Sequence, residues 1–178
     1  APAALRRDAL IAGLSFIALA GLLVTVSGLT AVLPLFLSGL ACLAIFTLAR
    51  HLHRGTVLLP AALAALIAIV CFARTALLNG FGALWNETRS LWAAGKGILL
   101  PLAETDGSGL WLAGALCGLL LAALSLLLAK APALTAALLI CLTSAAGLVH
   151  ITPWLFVSAG IALLLLAWQK SAVSALSF

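Results

Sequence analysis

Six long apolar runs, separated by short polar segments, constrain the fold of this chain more than any other feature. A transmembrane α-helix needs about 20 mostly apolar residues to cross a hydrocarbon core of about 30 Å, and the runs approach or exceed that length. Only 7% of the residues are charged, whereas a soluble domain carries roughly a quarter, so a water-facing surface could not be covered. We therefore predict an all-α, multi-pass protein of the cell membrane with six transmembrane helices. The predicted helices cover residues 9–29, 31–49, 56–78, 110–129, 133–149 and 154–169.

Lysine and arginine residues between the runs predict the orientation, because segments that face the cytoplasm are enriched in them. The twin arginines before the first run are interpreted as a cytoplasmic anchor. With the N-terminus inside, the inner segments hold more basic residues than the outer ones, which also carry the acidic residues Glu87, Glu104 and Asp106. Both termini are therefore predicted to be cytoplasmic. The inner basic residues are Arg6, Arg7, Arg50, Arg54, Lys130 and Lys170, and the outer ones are Arg74, Arg89 and Lys96.

The one sizeable polar interval, residues 79–109, contains an amphipathic pattern. Apolar side chains recur at steps of three and four residues, which indicates a helix over residues 79–95 that is too short and too charged to cross a membrane. Its tryptophans suit the membrane–water boundary, so the helix should lie flat on the outer surface and lead into a loop over 96–109. It is either a lid for the bundle or part of a docking surface for an extracytoplasmic domain. The apolar side holds Phe81, Leu84, Trp85, Thr88, Leu91 and Trp92, and the polar side holds Asn86, Glu87, Arg89 and Ser90.

The stretch GFGALWNETRSLWAAGKGILLPLAE, residues 80–104, is followed by two apolar runs and a third that opens with a proline. With them it resembles the N-terminal membrane region of bacterial transglutaminase-like membrane proteins, over about residues 78–170. In that family several transmembrane helices precede an extracytoplasmic domain of papain-like type with a Cys-His-Asp constellation. The resemblance implies that this chain is the membrane anchor and that the catalytic residues lie outside it. Relatives tend to carry tyrosines in this interval, and this chain has none. The matching positions are Gly80, Trp85, Asn86, Gly97, Pro101 and Glu104.

No catalytic residue, cofactor or metal site is predicted within the chain, and its scattered positive charges do not predict nucleic-acid binding. The cysteines lie inside apolar runs, where desolvation disfavours the thiolate, and no histidine or carboxylate lies at comparable depth to activate one. Two histidines near residue 52 point in different directions on a helix. With their arginine neighbours they are interpreted as a basic cluster for anionic lipid headgroups. The cysteines are Cys42, Cys71, Cys117 and Cys141, and the basic cluster is Arg50, His51, His53 and Arg54.

A G-x-x-x-G pair in the fourth run, Gly114 and Gly118, predicts close helix packing, because small residues let a second backbone approach. We favour a contact within the bundle over a seam between two copies of the chain.

Two other functions stay open beside the anchor. Coupled transporters carry ionisable groups near the middle of the membrane, and Arg74 is the one charge close to the interior of a run. A carrier or transporter subunit for a neutral or hydrophobic solute would need no such charge. A structural subunit of a larger membrane complex is the third possibility. The anchor requires a further span after Phe178, and the absence of methionine predicts a processed or partial chain.

Overall fold

A computed structural model describes residues 2–53, 55–94 and 107–176, and α-helices account for most of these residues. The described ranges contain no strand. In chain order the helices are α1 (Pro2–Ser27), α2 (Val32–His51), α3 (Gly55–Phe72), α4 (Arg74–Ala93), α5 (Leu110–Leu128), α6 (Pro132–Val149) and α7 (Pro153–Leu176).

Helix α1 lies at the centre of the bundle, where it contacts α2, α4, α5, α6 and α7. The largest side chain that it buries completely is Phe16, whose ring packs against Gly39 of α2. A Cβ atom on Gly39 would overlap this ring, so the contact requires a glycine. The ring of Phe36 meets Phe16 edge-on, with 6.0 Å between centroids, and stacks on Trp154 at 5.4 Å. These aromatic contacts join α1, α2 and α7.

Hydroxyl groups in the interior are hydrogen-bonded, which removes the cost of burying them. Ser15 donates to the carbonyl four residues earlier in α1 at 2.7 Å. Two pairs of hydroxyls join different elements: Thr25 with Thr152 at 2.6 Å, and Thr143 with Ser158 at 2.8 Å. Every buried side-chain nitrogen or oxygen in the described residues has a hydrogen-bond partner.

Helix α3 lies at the edge of the bundle, and its main contacts are with α2 and α4. Its sequence is almost wholly apolar, yet Leu58 and Leu66 are its only half-buried residues within 56–72; the others are exposed.

Five helices in the described part of the chain are long and apolar enough to cross a membrane, judged by length and composition: α1, α2, α5, α6 and α7. Helices α3 and α4 meet the same criterion only as a pair, and the pair is bent by 84°. Counting that pair as one span raises the number to six.

The predicted boundary between the third span, 56–78, and the amphipathic helix, 79–95, is wrong. Helix α3 ends at Phe72 and α4 begins at Arg74, so the bend falls at Ala73. The backbone stays bonded through it, because the Ala73 N–H donates to Ile69 and the Leu77 N–H donates to Ala73, both at 2.9 Å. Leu77 lies past the bend and is buried against the bundle, so the sequence stays apolar there although helix α3 has ended. Hydropathy did not distinguish such burial from continuation of a span.

Candidate functional site

Helix α4 lies across one end of the bundle, which we call the cap end. This end also contains the turn between α1 and α2, the residues before α5 and the turn between α6 and α7. Contacts at two places hold α4 there: at the start of α5, and at the turn between α1 and α2.

At the start of α5, two glycines bring the backbones of α4 and α5 together. A Cβ atom on Gly80 would overlap the carbonyl of Gly109, and a Cβ atom on Gly109 would overlap the carbonyl of Ala76. Gly109 also has φ 78°, a left-handed conformation that costs little only for glycine. Beside this contact, the Asn79 side-chain amide donates to the Ser108 hydroxyl at 3.3 Å. A side chain at either glycine would therefore lift α4 away from α5.

At the turn between α1 and α2, polar side chains of α4 bind backbone groups that the two helices leave unpaired. The Glu87 carboxylate accepts the Thr30 N–H at 3.2 Å and the Thr30 hydroxyl at 2.7 Å. The Trp92 indole N–H donates to the carbonyl of Val26 at 2.7 Å. The last carbonyls of a helix and the N–H groups at the start of the next have no intrahelical partner, so these contacts fix α4 to the turn.

The predicted apolar side of the amphipathic helix divides between the bundle and the surface. Leu84 packs against the core, and Leu91 is half-buried beside the α1–α2 turn. Phe81, Trp85 and Trp92 retain 38%, 43% and 42% of their exposure. Three aromatic side chains therefore remain on the surface of the cap end.

The assignment of Glu87 to the polar side, opposite Leu84 and Leu91, is wrong. Its carboxylate contacts Thr30, so Glu87 belongs to the ridge that faces the bundle. An apolar pattern does not reveal a carboxylate on a packing ridge. The available signal was the turn after α1, where a threonine in the sequence GLT offers both an N–H and a hydroxyl.

The two glycines of the G-x-x-x-G pair are buried where α5 packs against α2, its most extensive contact. A Cβ atom on Gly118 would overlap the carbonyl of Leu35 and the hydroxyl of Ser38, and one on Gly114 would lie 3.1 Å from the Ala31 carbonyl. Ser38 also donates to a carbonyl of α5 at 2.8 Å. The pair therefore serves packing within the bundle.

The predicted headgroup cluster lies at the opposite end of the bundle, which we call the basic end. Its described residues have different surroundings there. Arg50 lies 4.0 Å from the Asp8 carboxylate, an exposed pair of the kind that contributes about 0–1 kcal/mol. His51, the last residue of α2, lines a groove between α1 and α2. His53 is exposed in the following turn with φ 56°, and Arg54 lies outside the described residues. Lys96, Gly97, Pro101, Glu104 and Asp106 lie outside them as well.

The cysteines are dispersed over four helices. Cys42 and Cys117 are half-buried, whereas Cys71 and Cys141 are exposed on the sides of the bundle. Among the residues that the structure describes, no group of three histidine, cysteine or acidic side chains is placed to hold a metal ion.

Comparison with models of known protein families, with curated proteins and with solved structures found no match for this chain.

Proposed function

We propose that the chain is the membrane-embedded anchoring region of a transglutaminase-like membrane protein whose catalytic domain lies outside it. In this proposal the chain crosses the membrane six times, with α3 as the third crossing. Helix α4 lies flat at the outer surface, and both termini are cytoplasmic. The segment itself carries no catalytic step.

Membrane insertion is supported by the composition of the helices and by the distribution of charge. Charged side chains lie at the two ends of the bundle, and the basic end has the larger excess of positive charge. Segments that remain in the cytoplasm show this excess. The described basic end carries Arg6, Arg7, Arg50, Lys130 and Lys170 with Asp8, and the cap end carries Arg74 and Arg89 with Glu87.

The fixed position of α4 is the observation that carries the anchoring role. Glycine contacts hold α4 to the start of α5, and Glu87 and Trp92 hold it to the turn between α1 and α2. An attached helix of this kind offers a rigid surface to a domain on the outer side, since its orientation is set by the bundle. The exposed rings of Phe81 and Trp85 supply apolar area on that surface.

The anchor is tested by reading the gene beyond the codon for Phe178. We expect one further apolar span and then a domain with cysteine, histidine and aspartate in a papain-like arrangement. A stop codon directly after that position would end the proposal, and so would a following domain of another class.

The orientation is tested separately by cysteine labelling of intact cells. In a variant without the native cysteines, Ser108→Cys should react with a membrane-impermeant maleimide, whereas Gly55→Cys should react only after the membrane is opened. Labelling of residue 55 from outside would contradict the proposed orientation.

A carrier for a neutral or hydrophobic solute is the second candidate, favoured by a cleft of about 370 Å³ between α2 and α3. Ser38, Cys42 and Phe46 line it from α2, and Leu58 and Ala62 line it from α3. Such a carrier should lose uptake when the cleft is filled by Ala62→Phe. If vesicles with the protein took up apolar solutes no faster than vesicles without it, the carrier would be ruled out.

A further inference from the structure

A groove between α1 and α2 opens at the basic end and has a volume of about 500 Å³. Its walls are two ridges of residues spaced four apart. Leu5, Ala9 and Gly13 form the wall on α1, and Leu40, Ala44 and Leu48 form the wall on α2. Residues four apart lie above one another on a helix, so the groove runs along both helix axes.

The groove exists because α1 and α2 are held together at one level and carry small residues beyond it. The Phe16 ring fills the space against Gly39 and fixes the contact near the middle of the bundle. Towards the basic end, Ala9 and Gly13 face Ala44, and a Cβ atom added to Gly13 would meet no atom within 4 Å. The space is therefore open along the helices.

The interior of the groove is apolar and its mouth is polar. Thr47, which also lines the wall, donates its hydroxyl to the Leu43 carbonyl at 2.8 Å and so offers no free hydrogen to a ligand. Arg6 and His51 line the mouth from opposite helices. Arg50 lines an adjoining cleft with Asp8 and Lys130, and the Asp8 carboxylate lies 4.0 Å from Arg50, so this carboxylate is paired outside the groove.

The α2 wall of the groove is about as long as one leaflet of a membrane is deep, and the α1 wall is shorter. Arg6 and Gly13 are about 10 Å apart along α1, and Leu40 and His51 are about 16 Å apart along α2, at about 1.5 Å per residue. Half of a hydrocarbon core of about 30 Å is about 15 Å. A ligand that occupies the groove from mouth to floor would thus have a charged group at the membrane surface and a chain reaching towards the midplane.

We propose that this groove binds one anionic glycerophospholipid of the leaflet at the basic end. One acyl chain lies between the two ridges, and the phosphate lies at the mouth, where the Arg6 guanidinium donates to it and the His51 ring supplies a second N–H donor. Guanidinium groups match phosphate oxygens in geometry and charge. The bundle is positive at this end, so an anionic headgroup is favoured over a zwitterionic one.

The proposal rests on the membrane insertion proposed above but does not depend on a catalytic domain. It would stand if the gene ended after Phe178, and it would fail on its own if no lipid were held.

The test is lipid retention by the protein purified in detergent, measured by native mass spectrometry during titration with phosphatidylglycerol or phosphatidylcholine. Two variants address the site: Arg6→Gln removes the charge at the mouth, and Gly13→Leu fills the inner end of the groove, near the middle of the bundle. Each has a matched control. Arg7→Gln removes a neighbouring charge that does not line the groove, and Gly160→Leu enlarges a glycine of α7 whose Cβ also faces open space.

We expect one phosphatidylglycerol to be held in preference to phosphatidylcholine by the unchanged protein and by both controls. Arg6→Gln should weaken that binding about fivefold, as expected for one basic group near a membrane surface, and Gly13→Leu should abolish it. Equal weakening by Arg6→Gln and Arg7→Gln would show a general basic surface and overturn the site. Lipid retention by the Gly13→Leu protein would place the acyl chain outside the groove and would also overturn the proposal.

Folding of each variant is checked by circular dichroism and gel filtration in the same detergent. If Gly13→Leu does not fold, Ala44→Leu fills the groove from the other wall at an exposed position. It should also abolish retention, and normal retention by a folded Ala44→Leu protein would contradict the proposal.

Discussion

Helices α1 and α3 occupy opposite situations in the bundle although both are long and apolar. Helix α1, which carries three charged residues near its start, contacts five other helices, whereas the uncharged helix α3 packs mainly on α2 and α4. The contrast is sharpest at two phenylalanines: Phe16 of α1 has no exposed surface, and Phe72 at the end of α3 is 91% exposed. The more uniformly apolar helix is thus the peripheral one.

This difference teaches that apolar character does not place a helix at the centre of a bundle of this kind. Where lipid surrounds the helices, as we propose, no hydrophobic force draws them together, and packing and hydrogen bonds decide their arrangement. Helix α1 offers both, because Gly21 receives the Trp154 ring and Thr25 bonds to Thr152. Helix α3 has alanines, but it has no hydroxyl after Thr56.

The largest effect should come from removing the central aromatic ring. Phe16→Ala should lower the free energy of unfolding by about 3 kcal/mol, in the range of truncations that leave a cavity in a core. Phe72→Ala, the matched change in α3, should lower it by less than about 0.5 kcal/mol, as for surface positions. Unfolding of the purified protein in detergent micelles measures both. Equal losses would remove the distinction between the two helices.

A Cβ atom at the α2–α5 contact should have the next largest effect. Gly118→Ala should cost about 1–3 kcal/mol, as overpacking does, because the added carbon overlaps the Leu35 carbonyl. Gly160→Ala places the same atom in open space and should be neutral or stabilising by up to about 1 kcal/mol, since alanine favours a helix over glycine. Thermal unfolding of the two variants gives the comparison, and a stable Gly118→Ala protein would contradict the close approach of α5.

Helix α3 should depend on α4 for its position, because its own packing is slight. Glu87→Gln removes the charge from the two bonds to Thr30 and should cost about 1 kcal/mol locally, which is about a fivefold rise in opening. Amide hydrogen exchange should therefore quicken over residues 74–93 and 56–72 while α1 stays protected. Thr75→Ala, at an exposed position of the same helix, should leave exchange unchanged. Unaltered exchange in both segments of the Glu87→Gln protein would show that this contact does not hold them.

The smallest measurable effect should come from an interior hydrogen bond. Thr143→Val removes the bond to Ser158, whose hydroxyl keeps the carbonyl of Leu155 at 3.0 Å as an acceptor. We expect a loss of about 0.6 kcal/mol, the average for such bonds between membrane helices. Ser144→Ala, on the exposed side of the same helix, should cost less. A loss above about 2 kcal/mol at Thr143 would contradict the small contribution expected of this bond.

The candidate site was foreseen only in part. The amphipathic pattern predicted a helix over residues 79–95, of which 79–93 belong to α4, and identified Leu84 as a residue on its packing side. The same pattern could not place the bend at Ala73, because the sequence contains an apolar residue at position 77 whether that residue is buried against the bundle or lies in a transmembrane helix. Nor could it place Glu87, whose partner Thr30 lies 57 positions away in sequence. Both misses concern contacts between segments that are distant in the chain.

The sequence by itself determined the helical class and the approximate positions of the helices, because hydropathy depends on neighbouring residues. The predicted run 110–129 corresponds to α5 (Leu110–Leu128), and the run 133–149 corresponds to α6 (Pro132–Val149). Only the tertiary structure decided that α1 is central, that α3 is peripheral and that a groove separates Gly13 from Ala44. Those outcomes depend on whether one helix has a recess where another has a ring. Such complementarity is a property of pairs of surfaces, and no local sequence pattern contains it.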